Sequence, residues 1–147
     1  MFNTAYPDPA TQGYFYADVP VKRGIAFLFD TVLIAFLVAL IVPLTGFLAL
    51  FFLGALYVAV SFVYRWLGLA RASGTLGMRL MGLEFRDARG LRLGGAMSFV
   101  HTLFYALSVA FVFPQIISVL LMVFTRRGQG LSDLVLGTVL VNRAALY

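Results

Sequence analysis

Two long stretches of the chain, Thr31 to Tyr64 and Leu93 to Thr125, contain no Asp, Glu, Lys or Arg. A helix crosses a bilayer in about 20 residues at 1.5 Å each, so the first stretch is too long for one crossing and slightly short for two. Pro43-Leu44-Thr45-Gly46 lies inside it and reads as a turn. The spacing therefore predicts a helical hairpin, with a first span over about 21–43 and a second over about 47–66. Starting the first span at Val21 carries Asp30 into the membrane, seven positions after Arg23 and roughly 10 Å further along the helix.

The second stretch predicts a third membrane segment over about 97–125, interrupted by Pro114, which removes a backbone donor and clashes with the preceding turn. One kinked crossing fits this length. A re-entrant pair of half-helices, Met97 to Phe113 and Gln115 to Thr125, fits where protein covers the turn. Between the second and third apolar stretches lie Arg65, Arg71, Arg79, Arg86, Arg89 and Arg92, whereas the Pro43 turn is uncharged. The positive-inside rule puts that loop, and the amino terminus with Lys22 and Arg23, in the cytoplasm. A single third crossing would send Arg126, Arg127 and Arg143 outside, so charge favours the re-entrant form.

Shorter elements follow from the loops. Ser73 to Gly82 offers a cap and then apolar residues around Arg79, which fits a short amphipathic interfacial helix. Leu83-Glu84-Phe85-Arg86, a turn at Asp87 to Gly90, and Leu91-Arg92-Leu93 alternate as a small cytoplasmic strand hairpin. Gly137 to Asn142 is β-branched and too short to cross, and can pair with Leu83 to Arg86 only if both lie on one side of the membrane. Residues 1–20 form an interfacial segment, with Tyr6, Tyr14, Phe15 and Tyr16 suited to the headgroup zone and no signal-peptide pattern. Residues 21–143 form a single membrane domain.

Composition agrees. Of 147 residues, 62% are hydrophobic and 12% charged, against about 45–50% and about 25% in soluble domains. With a mean hydropathy of +0.97, the fold class is an all-α helical integral membrane protein whose first partner is the lipid bilayer. The formal charge of +5 is explained by cations flanking the spans, so no nucleic acid is predicted. Zero cysteines exclude disulfides, thiolate metal sites and cysteine nucleophiles. The glycines of Ser73 to Gly82 lack Walker spacing and no strand precedes them, so no nucleotide cofactor is predicted.

Three charges carry the candidate chemistry. Arg23 and Asp30 share a helix stripe at a spacing of seven. A carboxylate at that depth must face protein or water and find a partner. As a functional group, Asp30 would bind a proton or cation with Arg23 tuning it. As an anchor, it would pair with an arginine from elsewhere, with Arg79, Arg126 and Arg127 as candidates. Asp133, in Gln129-Gly130-Leu131-Ser132-Asp133, reads locally as a helix cap. His101 is the lone histidine and reads as a hydrogen-bonded bundle residue rather than a metal ligand. Ser61, Ser98, Thr102, Ser108 and Ser118 read as helix-packing groups, and no serine has the companions of a hydrolytic site. No catalytic residue and no cofactor is predicted.

The Arg23 to Asp30 pair, the Ser73-Gly74-Thr75-Leu76-Gly77-Met78-Arg79-Leu80-Met81-Gly82-Leu83 stretch, and Gln129-Gly130-Leu131-Ser132-Asp133 followed by Gly137-Thr138-Val139 together resemble the RDD family of small bacterial membrane proteins, named for an arginine and two aspartates. The resemblance covers Val21 to Arg143. It departs from the family pattern at Met78, where a lysine is common, and at Ser132, where a histidine often precedes the last aspartate. It implies a multi-pass protein of the bacterial inner membrane, with Arg23, Asp30 and Asp133 as the positions that matter. It further implies either a contribution to transport of a cation, proton or small solute, or an accessory role on a partner membrane protein. Two or three helices enclose a path poorly, so transport would require a homo-oligomer or a larger assembly. An enzyme is not expected.

Overall fold

A computed structural model describes residues 6–143. The first five residues of the interfacial segment lie outside it. Two helices are long and apolar enough to cross a membrane: α1 (Val19–Leu44) and α2 (Leu53–Ala72), the latter preceded by a 3-10 turn over Leu48–Phe52. Pro20 sits at the start of α1, where its missing N–H leaves no bond unmade. Pro43 does not divide the hairpin. It lies inside the last turn of α1, and the reversal comes at Thr45 to Phe47, with Gly46 and Phe47 both at positive φ. α2 also extends to Ala72, so Arg65 lies within a membrane helix, two turns before its end, and not in the following loop.

The third apolar segment is the broken pair foreseen as one alternative. α4 (Gly95–Ala110) and α5 (Val112–Phe124) meet at 115°. The break falls at Phe111, three residues before Pro114, because a proline is tolerated in the first turn of a helix. Ser108 Oγ donates to Gln115 Oε1 across the bend, at 3.2 Å.

Between α2 and α4 come the short helix α3 (Leu76–Leu80) and strand β1 (Leu83–Arg86); after α5 come α6 (Leu131–Leu136) and strand β2 (Val139–Asn142). β1 and β2 pair antiparallel, Leu83 opposite Asn142 and Arg86 opposite Val139. The two-stranded sheet is therefore present, but Leu91 to Leu93 is not its second strand. The Asp87 side chain accepts from the backbone of Arg89 and Leu91 and holds that stretch as a loop, leaving the edge of β1 to β2. Since the pair links a strand before α4 to one after α6, both ends of the bent pair return to one place, the geometry of a re-entrant segment.

The buried apolar cluster is gathered at this sheet end: Val19 and Ala26 of α1, Leu69 of α2, Met78 of α3, Phe85 of β1 and Leu140 of β2. Phe15 and Tyr16 turn inward onto Val139 and Val141, while Tyr14 alone of that group is widely exposed. Asn142 ties the same region down, accepting from Lys22 Nζ at 2.7 Å and donating to the carbonyls of Tyr14 and Ala17. Toward the uncharged tip, large apolar side chains such as Leu44, Phe51 and Phe113 point outward, as lipid-facing residues should.

α3 is pressed onto α1 at a glycine. A Cβ on Gly77 would collide with the Ala26 carbonyl oxygen and lie 2.8 Å from Asp30 Oδ1. Gly77→Ala should therefore force α3 off α1 and cost about 1–3 kcal/mol, read as a lowered thermal midpoint in detergent; an unchanged midpoint would show that the contact is looser than described.

Candidate functional site

The charges singled out from the sequence fall into two separate polar clamps, both at the sheet end of the helices. The first is centred on Asp133, in the first turn of α6 and fully buried. Its Oδ2 receives Arg23 Nη1 of α1 at 2.7 Å and the Gly130 backbone N–H at 3.0 Å. Its Oδ1 lies 2.7 Å from His101 Nε2 of α4 and receives the Thr138 hydroxyl at 3.1 Å. With Asp133 ionised, Oδ1 can only accept, so His101 must carry a proton on Nε2. Phe85 of β1 packs on both flanking groups, its ring centroid 4.7 Å from the His101 ring and 5.5 Å from Arg23 Cζ.

The cap reading of Asp133 holds for one of these four bonds, that from Gly130. The other three fasten α1, α4 and the start of β2 to α6. Burial on its own would raise the Asp133 carboxyl, but the Arg23 guanidinium and the His101 hydrogen bond outweigh it and hold the group well below the usual carboxylate range.

The second clamp is centred on Asp30, also fully buried. Its partners are not arginines. Oδ1 receives the Tyr64 hydroxyl of α2 at 2.6 Å and the Gly77 backbone N–H at 2.9 Å, and Oδ2 receives the Thr75 hydroxyl at 2.5 Å. Thr75 is the N-cap of α3, accepting from Met78 N–H, so one hydroxyl serves the cap and the carboxylate together. Among the described residues Asp30 forms no ion pair with Arg23, Arg79, Arg126 or Arg127. Arg23 is paired with Asp133, and Arg127 lies 5.5 Å from the Tyr6 ring. The arginine partner expected for Asp30 as an anchor is thus replaced by hydroxyl and backbone donors, and Arg23 and Asp30, on one helix, serve different clamps.

A family model for the RDD family matches residues 18–137, which takes in both clamps apart from Thr138. The chain belongs to the RDD family. No curated protein and no solved structure matches it. Met78 and Ser132, the two departures from the RDD pattern, are both buried next to the clamps.

Several contributors escaped the sequence reading of this RDD protein. His101, read as a hydrogen-bonded bundle residue, has Asp133 as its partner, which the sequence did not indicate. Tyr64 gave no signal, because a single hydroxyl at the end of an apolar run is indistinguishable from any helix-packing group, and Thr75 and Thr138, though within the motifs that resemble the family, were not singled out as carboxylate partners. Of the packing hydroxyls, Ser118 accepts from Leu131 N–H and seats α6 on α5, whereas Ser98 Oγ has no partner among the described residues and so does not extend the His101–Asp133 pair.

Between the clamps the helices leave a cavity of about 230 Å³ lined by Arg23, Asp30, Arg65, Phe85, His101 and Tyr105 among others. Every carboxylate oxygen of the two aspartates accepts at least one protein donor, and the cation Arg65, whose Nε has no partner among the described residues, also faces this space.

Removing one partner of a buried charge pair strands the other, at a cost of about 3–5 kcal/mol. Asp133→Asn should lose that much at neutral pH, and Arg23→Gln combined with it should cost clearly less than the sum of the two. The Asp133 carboxyl lies lower in the folded protein than its unfolded value near 3.9. Its contribution is therefore complete above about pH 4 and is lost as pH falls toward the folded value. Thermal midpoints of wild type and Asp133→Asn should converge below that pH; a constant gap would contradict the assignment.

Proposed function

We propose that this RDD protein is a non-enzymatic inner-membrane protein that handles a small solute within the membrane, with Arg23, Asp30 and Asp133 building the frame rather than carrying a cation or proton. The observation that carries this reading is the cavity walled by α1, α2, α4 and α5, set beside two family aspartates whose oxygens are already occupied by intrachain donors. A cation site needs unclaimed oxygen ligands. Here Asp133 accepts four bonds and Asp30 three. The solute-facing groups on this reading are therefore Arg65 and the aromatic walls.

The orientation proposed is amino terminus and sheet cytoplasmic. Every Lys and Arg except Arg65 lies at the sheet end of the helices or in its loops, and the tip from Thr45 to Phe52 carries no charge. Two spanning helices and a re-entrant pair enclose a path only in part, so the protein would act as one protomer of a homo-oligomer or as a subunit of a larger complex. A second reading, an accessory protein bound to another membrane protein, is favoured by the same saturation of the aspartates, since clamps that only fix a fold would look the same.

Proteoliposome uptake of a panel of small neutral and charged solutes separates the two. Flux above protein-free vesicles should be abolished by Val119→Trp, which fills part of the cavity between the clamps, and retained per folded molecule in Asp30→Asn. Flux lost in folded Asp30→Asn would restore the aspartate as a transport group; absence of flux together with stoichiometric co-purification of another membrane protein would establish the accessory role.

A further inference from the structure

Arg65 is the anomaly of the membrane region. It lies in α2 seven residues from the cytoplasmic end, which is about 10 Å of helix rise, and only 7% of its surface is exposed. A lone arginine inside a bilayer costs roughly 2.5–3.5 kcal/mol even on insertion scales, so such residues pair or serve a ligand or pathway. Arg65 has no ion pair and no hydrogen bond among the described residues, and its Nε is sealed from solvent without an acceptor. It is held instead by aromatic faces, with Cζ 4.2 Å from the Tyr105 ring centroid and 5.8 Å from that of Phe27. Asp30 borders the same space, yet it makes no ion pair with Arg65 and its oxygens already serve Tyr64, Thr75 and Gly77.

The guanidinium also occupies a distinctive place. It borders the cavity of about 230 Å³ toward the sheet and a second of about 220 Å³ toward the tip, and Phe27, Thr102 and Tyr105 border both with it. The first holds polar neighbours such as Arg23, His101 and Gln115. The second is walled mainly by apolar and aromatic side chains, among them Ile34, Val58, Phe62 and Val109. Together they reach the size of an ordinary ligand site, about 300–1,000 Å³. A planar fork of donors with no protein acceptor, set between a polar space and an apolar one, matches a ligand with an anionic head and a hydrocarbon body.

We propose that the paired cavities bind an anionic single-chain amphiphile, its carboxylate or phosphate head on the Arg65 guanidinium and its chain in the apolar cavity between α1, α2 and α4. This names the solute class for the site read above and rests on that reading. Solute flux without anion preference would leave the earlier reading standing and remove this one.

The test uses the full chain in nanodiscs of zwitterionic phosphatidylcholine, probed with dodecanoate, dodecyl phosphate, dodecanol, dodecyltrimethylammonium and inorganic phosphate. Native mass spectrometry and thermal midpoint report retention and stabilisation. Both dodecyl anions should be retained one per chain and raise the midpoint, while dodecanol and the ammonium amphiphile should not. Arg65→Gln should weaken anion binding by about tenfold or more, the loss expected for charge-assisted hydrogen bonds, and Arg65→Lys should restore part of it. Equal retention of dodecanol and dodecanoate by the wild type would overturn the proposal, whether or not the variants fold. Undiminished binding by folded Arg65→Gln would overturn it too, as would inorganic phosphate stabilising as strongly as dodecyl phosphate.

Discussion

The carboxylate of Asp133, gripped by Arg23 from one side and His101 from the other, is the contact on which the arrangement of the helices depends. Inside a bilayer, apolar helices gain little by meeting one another, because acyl chains offer the same surroundings as leucine side chains. Association must come from close packing and from polar groups whose alternative is to stand unpaired. Asp133 supplies four such bonds from one short helix, drawing α1, α4 and the lead into β2 onto a single point. That point also closes the chain topologically. Once α6 is fastened beside α1, the strand that follows falls next to β1, and the two apolar halves α4 and α5 have to fold back on themselves.

The Asp30 clamp does complementary work one side over. Its three donors come from α2, from the N-cap of α3 and from the backbone of α3, so it fixes the spanning hairpin to the loop that begins the sheet. The close approach permitted by Gly77 is what lets the backbone N–H reach the carboxylate. Asp133 is balanced by Arg23, whereas Asp30, held by neutral donors, and Arg65, held by aromatic faces, border the volume between the clamps without an ion pair to one another among the described residues.

Much of this was legible in the amino-acid order. Uncharged runs gave the two spans and the broken third segment, and the cation distribution pointed to its re-entrant form, because both effects depend only on local composition. Alternation in Leu83 to Arg86 and the β-branched Val139 to Asn142 marked both strands. What sequence could not rank was the choice of partner. Leu91 to Leu93 alternates as convincingly as β2, and only the Asp87 turn, by capturing the backbone of Arg89 and Leu91, takes it out of contention. The same holds for the charges: a spacing of seven put Arg23 and Asp30 on one stripe, but which carboxylate an arginine meets is decided by helices distant in sequence. Arg65 was read as one more loop cation because α2 runs on past Trp66, a boundary that apolar counting places too early.

The central claim is that α6 and β2 return to the side of the membrane that holds β1, and paired cysteine labelling tests it most directly. In this cysteine-free chain, Arg89→Cys marks the loop after β1 and Arg143→Cys the end of β2, both at side chains with substantial exposure. Treated with a membrane-impermeant thiol reagent in intact cells and again after permeabilisation, the two positions should behave alike, protected before and labelled after. Labelling of position 143 from outside with position 89 still protected would mean three full crossings, and would contradict both the Arg23–Asp133 contact and the sheet built upon it.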